Sequence, residues 1–313
     1  MQARVVCRLA RLSPARAGVA LVYHRVGGDG GDEAVEILPA VSSSAFAGQL
    51  RHLRRHYRVV PAGELLDAVR TRRRGQRFPV SITFDDDLAS HVREALPALR
   101  QAGLTATFFL GGAALHEPHS FWWEDLQRAI DGRLVAPDGI PHVPEADVRA
   151  ALERSPRRIL DLTGAIVRLE PRKKAEVAAA LRTAAGPPAA DSGLRAPDVR
   201  TIVEAGCTVG FHTLGHDFLP SLSGPELEEA LNDGREALAS AAGRRPDLIA
   251  YPHGKADKRV AEAARAAGFA LGFTTARGPV TPDTDPFLIP RTVADQSASA
   301  LGLRLARAVA PRH

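Results

Sequence analysis

The sequence predicts an α/β protein, either a parallel sheet or a (β/α) barrel, interrupted by an inserted helical subdomain. Three observations predict it. From Val19 onward, short β-rich apolar runs alternate with helical patterns, and such alternation sustained along a chain builds parallel sheets. Glycine stands just past three helical patterns, at Ala102-Gly103, Ala205-Gly206 and Ala267-Gly268, where a left-handed C-terminal residue is favoured. The rhythm breaks once, between about Ser120 and Asp191.

Taken in order, Val19–Tyr23, Val80–Phe84, Ala106–Leu110, Thr208–Phe211, Leu248–Tyr251 and Ala270–Thr275 read as buried strands, because each is a short apolar, β-prone run. Val59–Val60 adds a shorter one. Helical patterns fall between them, at Ser44–Tyr57, Ala62–Arg70, Leu88–Ala102, Pro197–Ala205, Pro225–Ala242 and Ala256–Ala267. The interrupting segment opens with Phe121-Trp122-Trp123, which holds both tryptophans. It runs through proline-rich turns into basic helical sequence near Ala150–Glu170 and Arg172–Ala185. The organisation expected is a leader over residues 1–18, a first barrel part over 19–119, a helical insertion over 120–191 and a second barrel part over 192–313. The length by itself fits a single domain of ~250 residues plus an insertion, or two smaller domains.

Lys and Arg number 41 against 36 Asp and Glu, a net charge of +5, and the densest basic clusters are Arg51-His52-Leu53-Arg54-Arg55 and Arg72-Arg73-Arg74. No binding motif and no aromatic interleaving accompanies this charge, so no nucleic-acid partner is expected. Solvated faces account for it, as would attraction to an anionic membrane surface or an acidic glycan. Cys7 and Cys207 make no disulfide framework and fit a reducing compartment. No apolar run approaches the ~18 residues of a membrane span. Arg4, Arg8, Arg11 and Arg16 interrupt the N-terminus, which does not read as a signal peptide. The expectation is a cytoplasmic protein of unknown oligomeric state. Its first residues form a frayed leader or a short basic helix in peripheral contact with a membrane.

Two motifs carry chemistry. Val80-Ser81-Ile82-Thr83-Phe84-Asp85-Asp86-Asp87 is a buried strand ending in three carboxylates. Like charges so close repel, and burying them is costly unless a cation compensates. One Asp could simply cap the helix from Leu88; a cap uses one carboxylate, and three are present. Gly210-Phe211-His212-Thr213-Leu214-Gly215-His216 also follows a strand. Two histidines at this separation can face one metal on a helical or turn segment. Such a pair is weak by itself, yet both motifs stand at strand ends, where (β/α) barrels gather their chemistry. Two His and one Asp make a three-ligand site with positions open to water and substrate. One divalent metal is expected there, Zn²⁺ foremost, with Co²⁺, Ni²⁺ or Mn²⁺ compatible.

These residues resemble the polysaccharide deacetylases, carbohydrate esterase family 4. Thr83-Phe84-Asp85-Asp86 is similar to the family's first motif, and His212-Thr213-Leu214-Gly215-His216 to its His-(Ser/Thr)-x-x-His motif. Ile249-Ala250-Tyr251-Pro252-His253-Gly254 resembles the aromatic-Pro third motif, and Leu21-Val22-Tyr23-His24-Arg25-Val26 the opening strand of the branch that deacetylates poly-N-acetylglucosamine. The resemblance covers about Val19–Ala114 and Pro197–Thr292 and leaves the insertion outside. It implies a distorted (β/α) barrel that hydrolyses N-acetyl groups on amino sugars. It further implies that Asp85 is the general base and that Asp86, His212 and His216 are the metal ligands. A backbone N–H near Tyr251 would help hold the tetrahedral oxyanion.

Three departures from the family pattern matter. Asp87 replaces the usual Gly after the Asp pair, so it is expected at the mouth against a cationic or hydroxyl-rich substrate, as a supporting group behind the residues of the site, or as a helix cap before Leu88. Ala250 stands where an Arg usually orients the base, and Arg291, in Leu288-Ile289-Pro290-Arg291, could supply that guanidinium from a later strand or form a surface ion pair. The late Leu-x-x-His motif that supplies the general acid is absent; in the resembling branch the opening-strand His takes that role, which makes His24 the candidate acid and His253 the second choice. His91, about one turn into the helix after the acidic strand, is expected at the surface or else at the edge of the site, and His116 and His119 carry little signal. Phe121, Trp122 and Trp123 suit either stacking on sugars or the core of the insertion. Two other functions fit the same motifs: a hydrolase of a small non-polymeric N-acyl amide, and a glycan-binding protein without catalysis.

Overall fold

The computed structural model describes residues 12–154 and 156–309. Eight parallel strands form the centre: β1 (Val19–Tyr23), β2 (Arg58–Val59), β3 (Pro79–Asp85), β4 (Thr107–Leu110), β5 (Thr208–Phe211), β6 (Leu248–Ala250), β7 (Leu271–Thr274) and β8 (Ile289–Val293). Seven of them, in the order β1-β8-β7-β6-β5-β4-β3, close into a barrel through the pairing of β1 with β3, while β2 adds to the start of β3. The distorted (β/α) barrel with an inserted helical subdomain is therefore the fold. The register runs Tyr23 opposite Phe84, Asp85 opposite Phe109, and Leu110 opposite Phe211. This brings the C-terminal ends of β1, β3, β4 and β5 to one level, with His24, Asp86 and His212 each the first residue beyond its strand.

The strand sequences explain the closure. β1 and β3 are buried at every position, as strands covered on both faces require. Phe84 stacks between Tyr23 and Phe108, with ring centroids 5.3 and 4.8 Å away. Burial of each such ring contributes roughly 2–3 kcal/mol.

Around the barrel lie α1 (Ser43–His56), α2 (Leu65–Thr71), α3 (Leu96–Ala102) and, within the insertion, α4 (Trp122–Asp131), α5 (Glu145–Leu152), α6 (Arg158–Val167) and α7 (Pro171–Ala185). Then come α8 (Ala196–Glu204), α9 (Gly224–Asn232), α10 (Arg235–Ala242), α11 (Lys258–Ala266) and α12 (Ala298–Ala308). The helix predicted over Pro225–Ala242 is two, because Gly234 takes a left-handed φ of 75° between α9 and α10. The one predicted from Leu88 starts later, with a π turn over His91–Ala95 ahead of α3. β8 is the later strand from which Arg291 was expected to act, while α12 was not predicted as an element. The insertion has its own apolar cluster, in which Leu126, Ile130, Val148, Leu162, Val177 and Leu181 are buried.

One basic group differs from expectation. Arg72 is buried, its guanidinium over the Phe78 ring at 3.7 Å and donating to the carbonyl oxygens of Ser13 and Gln76 at 3.0 Å. Cys207 is buried, while Cys7 and most of the leader lie outside the described residues. Among those residues no helix is long and apolar enough to cross a membrane.

Candidate active site

The site is built from strand ends. Asp85 is the last residue of β3 and Arg291 sits within β8. The guanidinium of Arg291 donates to both carboxylate oxygens of Asp85 at 2.6 Å and to Thr83 Oγ1 at 3.1 Å, with no side-chain exposure. Burial pushes the Asp85 carboxyl up, but Arg291 and then His212 outweigh it and hold the carboxyl down at about 2. Arg291 thus brings a guanidinium to Asp85 from β8, while Ala250 stands at the third-motif position.

At Asp86 the chain turns left-handed, with φ of 71°, a conformation Asp tolerates better than most residues. The turn separates the two carboxylates: Asp85 faces Arg291, and Asp86 Oδ1 lies 3.5 Å from His212 Nε2 and 3.4 Å from His216 Nε2. Thr213, His216 and His253 also have positive φ. Strained backbone of this kind concentrates where side chains must be aimed.

The triad fits a divalent metal on three counts. Donors bound at ~2.0–2.1 Å in tetrahedral arrangement stand about 3.3 Å apart, close to the separations found here. Asp86 Oδ1 is buried and has no hydrogen-bond partner among the described residues. Burial, then Asp85 and Asp87, raise the Asp86 pKa well above normal, a cost that a bound cation would remove. Ring orientation agrees. His212 Nδ1 lies 2.7 Å from the Ala250 carbonyl oxygen, which assigns the proton to Nδ1 and leaves the Nε2 lone pair facing Asp86. Burial also depresses both histidines, His216 further through His253 and His212, so both favour the neutral form that ligates.

Other expected residues fall elsewhere. Asp87 is not at the mouth and does not cap a helix. Its buried carboxylate accepts from the backbone N–H groups of Gly111, Gly112 and Ala113 at 3.0, 2.9 and 2.9 Å, bracing the loop after β4. Tyr251 is fully buried; its hydroxyl donates to Phe287 O at 3.0 Å and its N–H to Phe273 O at 3.0 Å, so neither group faces the site. His91 is buried rather than superficial. The π turn aims its Nε2 at the carbonyl oxygens of Asp85 and Asp86, 3.0 Å from each. Burial lowers it to about 4. His119 packs edge-on against Phe121, with centroids 4.9 Å apart.

A cavity of about 230 Å³ opens over the triad. One side is polar, made by His24, Asp85, Asp86, His212, His216 and His253. The other comes from the β1–α1 loop and the insertion: Ile37, Leu38, Trp122, Trp123, Thr163 and Val167. Sequence reasoning gave no role to Ile37, Leu38, Thr163 and Val167; they lie in a loop or a helix whose pattern carries no chemical signature. Trp123 packs on the His216 ring at 4.4 Å and stacks on Phe121 at 4.3 Å. His24 borders the cavity. Burial, with Arg291 adding to it and Asp85 opposing, lowers its imidazole to about 4. The turn carrying His253 approaches β7 closely at Gly254, where φ is 65° and a Cβ would stand 1.9 Å from Thr275 Oγ1.

The sequence model of the polysaccharide deacetylase family matches residues 72–169 and 174–272. It runs through most of the 120–191 segment that the resemblance left outside. No curated protein matches the chain. Among solved structures, the Streptococcus pyogenes deacetylase PplD in complex with acetate is 15% identical with a TM-score of 0.62, covering 96% of this chain and 100% of its own. IcaB from Ammonifex degensii is 22% identical with a TM-score of 0.58, covering 93% and 97%. The BpsB deacetylase domain from Bordetella bronchiseptica is 14% identical with a TM-score of 0.54, covering 89% and 96%. At these identities the likeness speaks to the fold.

Proposed function

Because this chain belongs to the polysaccharide deacetylase family, hydrolases of carbon–nitrogen amide bonds that depend on a metal, we propose that it removes the N-acetyl group from an amino sugar or glycan precursor, with one divalent ion, Zn²⁺ foremost, held by Asp86, His212 and His216. The observation that carries this reading is the unpartnered, buried Asp86 Oδ1 within 3.5 Å of two imidazole nitrogens. A cation there would supply Lewis acidity toward the acyl carbonyl and an attacking water.

The remaining work falls to the chain. Asp85 takes the proton of the water. A carboxylate held near pKa 2 by a bidentate guanidinium is a weak base, so it serves only a water already made acidic. What it gains is fixed orientation and full ionisation at every working pH. Arg291 is the positioning group for that base. Tyr251 has spent its N–H on β7, so the N–H of His253, next in the turn after Pro252, is the backbone donor assigned to the developing oxyanion. His24 returns a proton to the leaving amine. At a pKa of about 4 it rests neutral at pH 7, so the proton it delivers is the one Asp85 has just removed, passed between neighbours.

A second reading, hydrolysis of a small non-polymeric N-acyl amide by the same residues, draws on the apolar wall that Ile37, Leu38, Trp122 and Val167 present to the cavity. Acetate release measured on N-acetylglucosamine, its linear oligomers and a small N-acyl aryl amide tests both. Release from the sugars supports the first reading, and release from the aryl amide alone supports the second. No release from any of them in the presence of added Zn²⁺, Co²⁺, Ni²⁺ or Mn²⁺ contradicts both.

A further inference from the structure

We propose that the helical insertion is part of the metal site, with Trp123 the positioning residue for the ligand His216; this rests on the assignment of Asp86, His212 and His216 as ligands. The two imidazoles stand 3.5 and 3.4 Å from Asp86 Oδ1 and are held in different ways. His212 is fixed by a hydrogen bond, its Nδ1 lying 2.7 Å from the Ala250 carbonyl oxygen. His216 lacks that support: its Nδ1 is buried and has no hydrogen-bond partner among the described residues. A ligating imidazole ordinarily donates its second N–H to an oxygen that fixes the ring. Without such a bond, the aim of the His216 ring depends on what packs against it.

Much of that packing comes from the insertion. The Trp123 ring lies 4.4 Å from the His216 ring and the Phe121 ring 5.9 Å from it. Trp123 and Phe121 are buried and stacked on each other at 4.3 Å, with their planes 5° apart. From the barrel, His253 meets the same imidazole edge-on at 4.7 Å. Aromatic rings in such contact take preferred mutual geometries, and close-packed surroundings leave little room for one to swing. His216 also has a left-handed φ of 48°, a conformation that persists where its surroundings over-determine it. The turn of α4 that carries Trp123 is itself pinned. Glu124 accepts from the Phe121 N–H at 3.1 Å and pairs at 3.2 Å with Arg25, the residue after His24. Asp125, buried, pairs with Arg182 of α7 at 3.0 Å. A second tie runs from α7 to the residue after the ligand: Lys174 Nζ stands 2.8 Å from Asp217 Oδ1. Trp123 therefore belongs to the insertion by sequence and to the polar side of the cavity by packing. Trp122, in the same turn, lines the cavity and makes no ring contact with His216 among the described residues.

The test uses the whole protein and metal alone, without substrate. Co²⁺ affinity is measured by competition with a chelator, and the visible absorption of the Co²⁺-loaded protein reports the geometry of its ligands. Three variants are compared with the unaltered chain: W123L, which keeps apolar bulk without a flat ring, W123F, which restores a ring, and W122A. W123L is expected to bind Co²⁺ about tenfold or more weakly, the order lost when the support of a metal-bound imidazole is removed, and to show an altered spectrum. W123F should recover most of the affinity and the spectrum, and W122A should match the unaltered chain in both. Should W123L fail to fold, K174M carries the test by cutting the second tie: weaker Co²⁺ binding supports the proposal, and unchanged binding overturns it. Equal affinity and identical spectra in W123L and the unaltered chain overturn the proposal and leave the ligand assignment intact. So do equal losses in W123L and W122A, which would make the effect a property of the whole wall. No Co²⁺ binding by the unaltered chain removes the ligand assignment, and the proposal with it.

Discussion

The two sides of the catalytic cavity are built differently. The barrel side is made of strand ends and the turns that follow them, fixed by ladder register and by buried hydrogen bonds: Arg291 to Asp85, His212 to Ala250, His91 to the backbone of Asp85 and Asp86. The opposite side is made of a loop and helices of the insertion, joined to each other by Ile37 N–H to Gln127 Oε1 at 2.9 Å, Arg157 N–H to Ala34 O at 2.6 Å and the Arg25–Glu124 pair at 3.2 Å. The first is polar, buried and strained; the second offers the cavity apolar side chains. Under the proposed function, the difference assigns reaction and substrate choice to separate parts of the chain, so changes on one side should move kcat and changes on the other KM.

The largest effects should come from the polar side. His212→Ala or His216→Ala should leave essentially no bound metal by elemental analysis and no acetate release, since each removes one of three ligands. Full metal occupancy in either variant would sink the assignment. Next comes Asp85→Asn, which should retain the metal and lose about 10²–10⁴-fold in turnover, the usual share of a positioned base. Near-normal turnover would make Asp85 structural.

Arg291→Gln sharpens the same point through pH. A base works ionised, so activity falls as pH drops through its pKa. Removing the guanidinium that holds Asp85 down lets burial raise it, and the acid limb of the rate profile should move up. The predicted sign is therefore greater loss at pH 5 than at pH 8. A loss independent of pH would assign Arg291 to packing alone.

His24→Ala should lower turnover on an amide by about 10²-fold and affect an activated ester much less, because that leaving group needs no proton. With its pKa near 4, His24 should contribute no alkaline limb near neutrality. A limb between pH 6 and 8 that vanishes in the variant would show that it rests protonated instead.

On the apolar side, Trp122→Ala should raise KM by about tenfold, the order expected for an apolar contact surface, with kcat and metal content nearly unchanged. A fall in kcat with constant KM would erase the division between the two sides.

The smallest effect concerns stability. His24, His91 and His253 have folded-state pKa values of about 4, chiefly from burial, below the unfolded ~6.5. The unfolded chain therefore binds more protons as pH falls, and stability that is full above about 6.5 drains away toward 4. Unfolding of chelator-treated protein should show that slope, and His91→Asn should flatten it. A slope unaltered by that change would acquit His91.

Much of the polar side was legible in the sequence because strand ends and motif spacing are local signals. The acidic triplet and the histidine pair marked the site, and Ala250 in place of the usual Arg sent attention to Arg291. What the triplet could not convey was which carboxylate goes where. The left-handed turn at Asp86 decides that, sending Asp85 to Arg291, Asp86 to the histidines and Asp87 to the backbone of Gly111–Ala113. The backbone N–H of Tyr251 itself misled because its place in the motif does not reveal that β7 already uses it, at Phe273 O. β8 was legible only as the later strand carrying Arg291; Pro290 obscured its extent, because proline argues against a central strand. The apolar side was illegible for a different reason. Ile37 and Leu38 follow a glycine-rich loop without periodicity, and they meet Thr163 and Val167 only through tertiary packing.

The central claim is that two adjacent carboxylates have opposite employment, Asp86 holding the metal and Asp85 moving the proton. Zinc content per chain, measured on Asp85→Asn and Asp86→Asn after identical loading and desalting, tests it most directly. The account predicts close to one zinc per chain in the first variant and almost none in the second, with acetate release reduced about 10²–10⁴-fold in the first and absent in the second. Equal zinc in the two, or the reverse order, would contradict it.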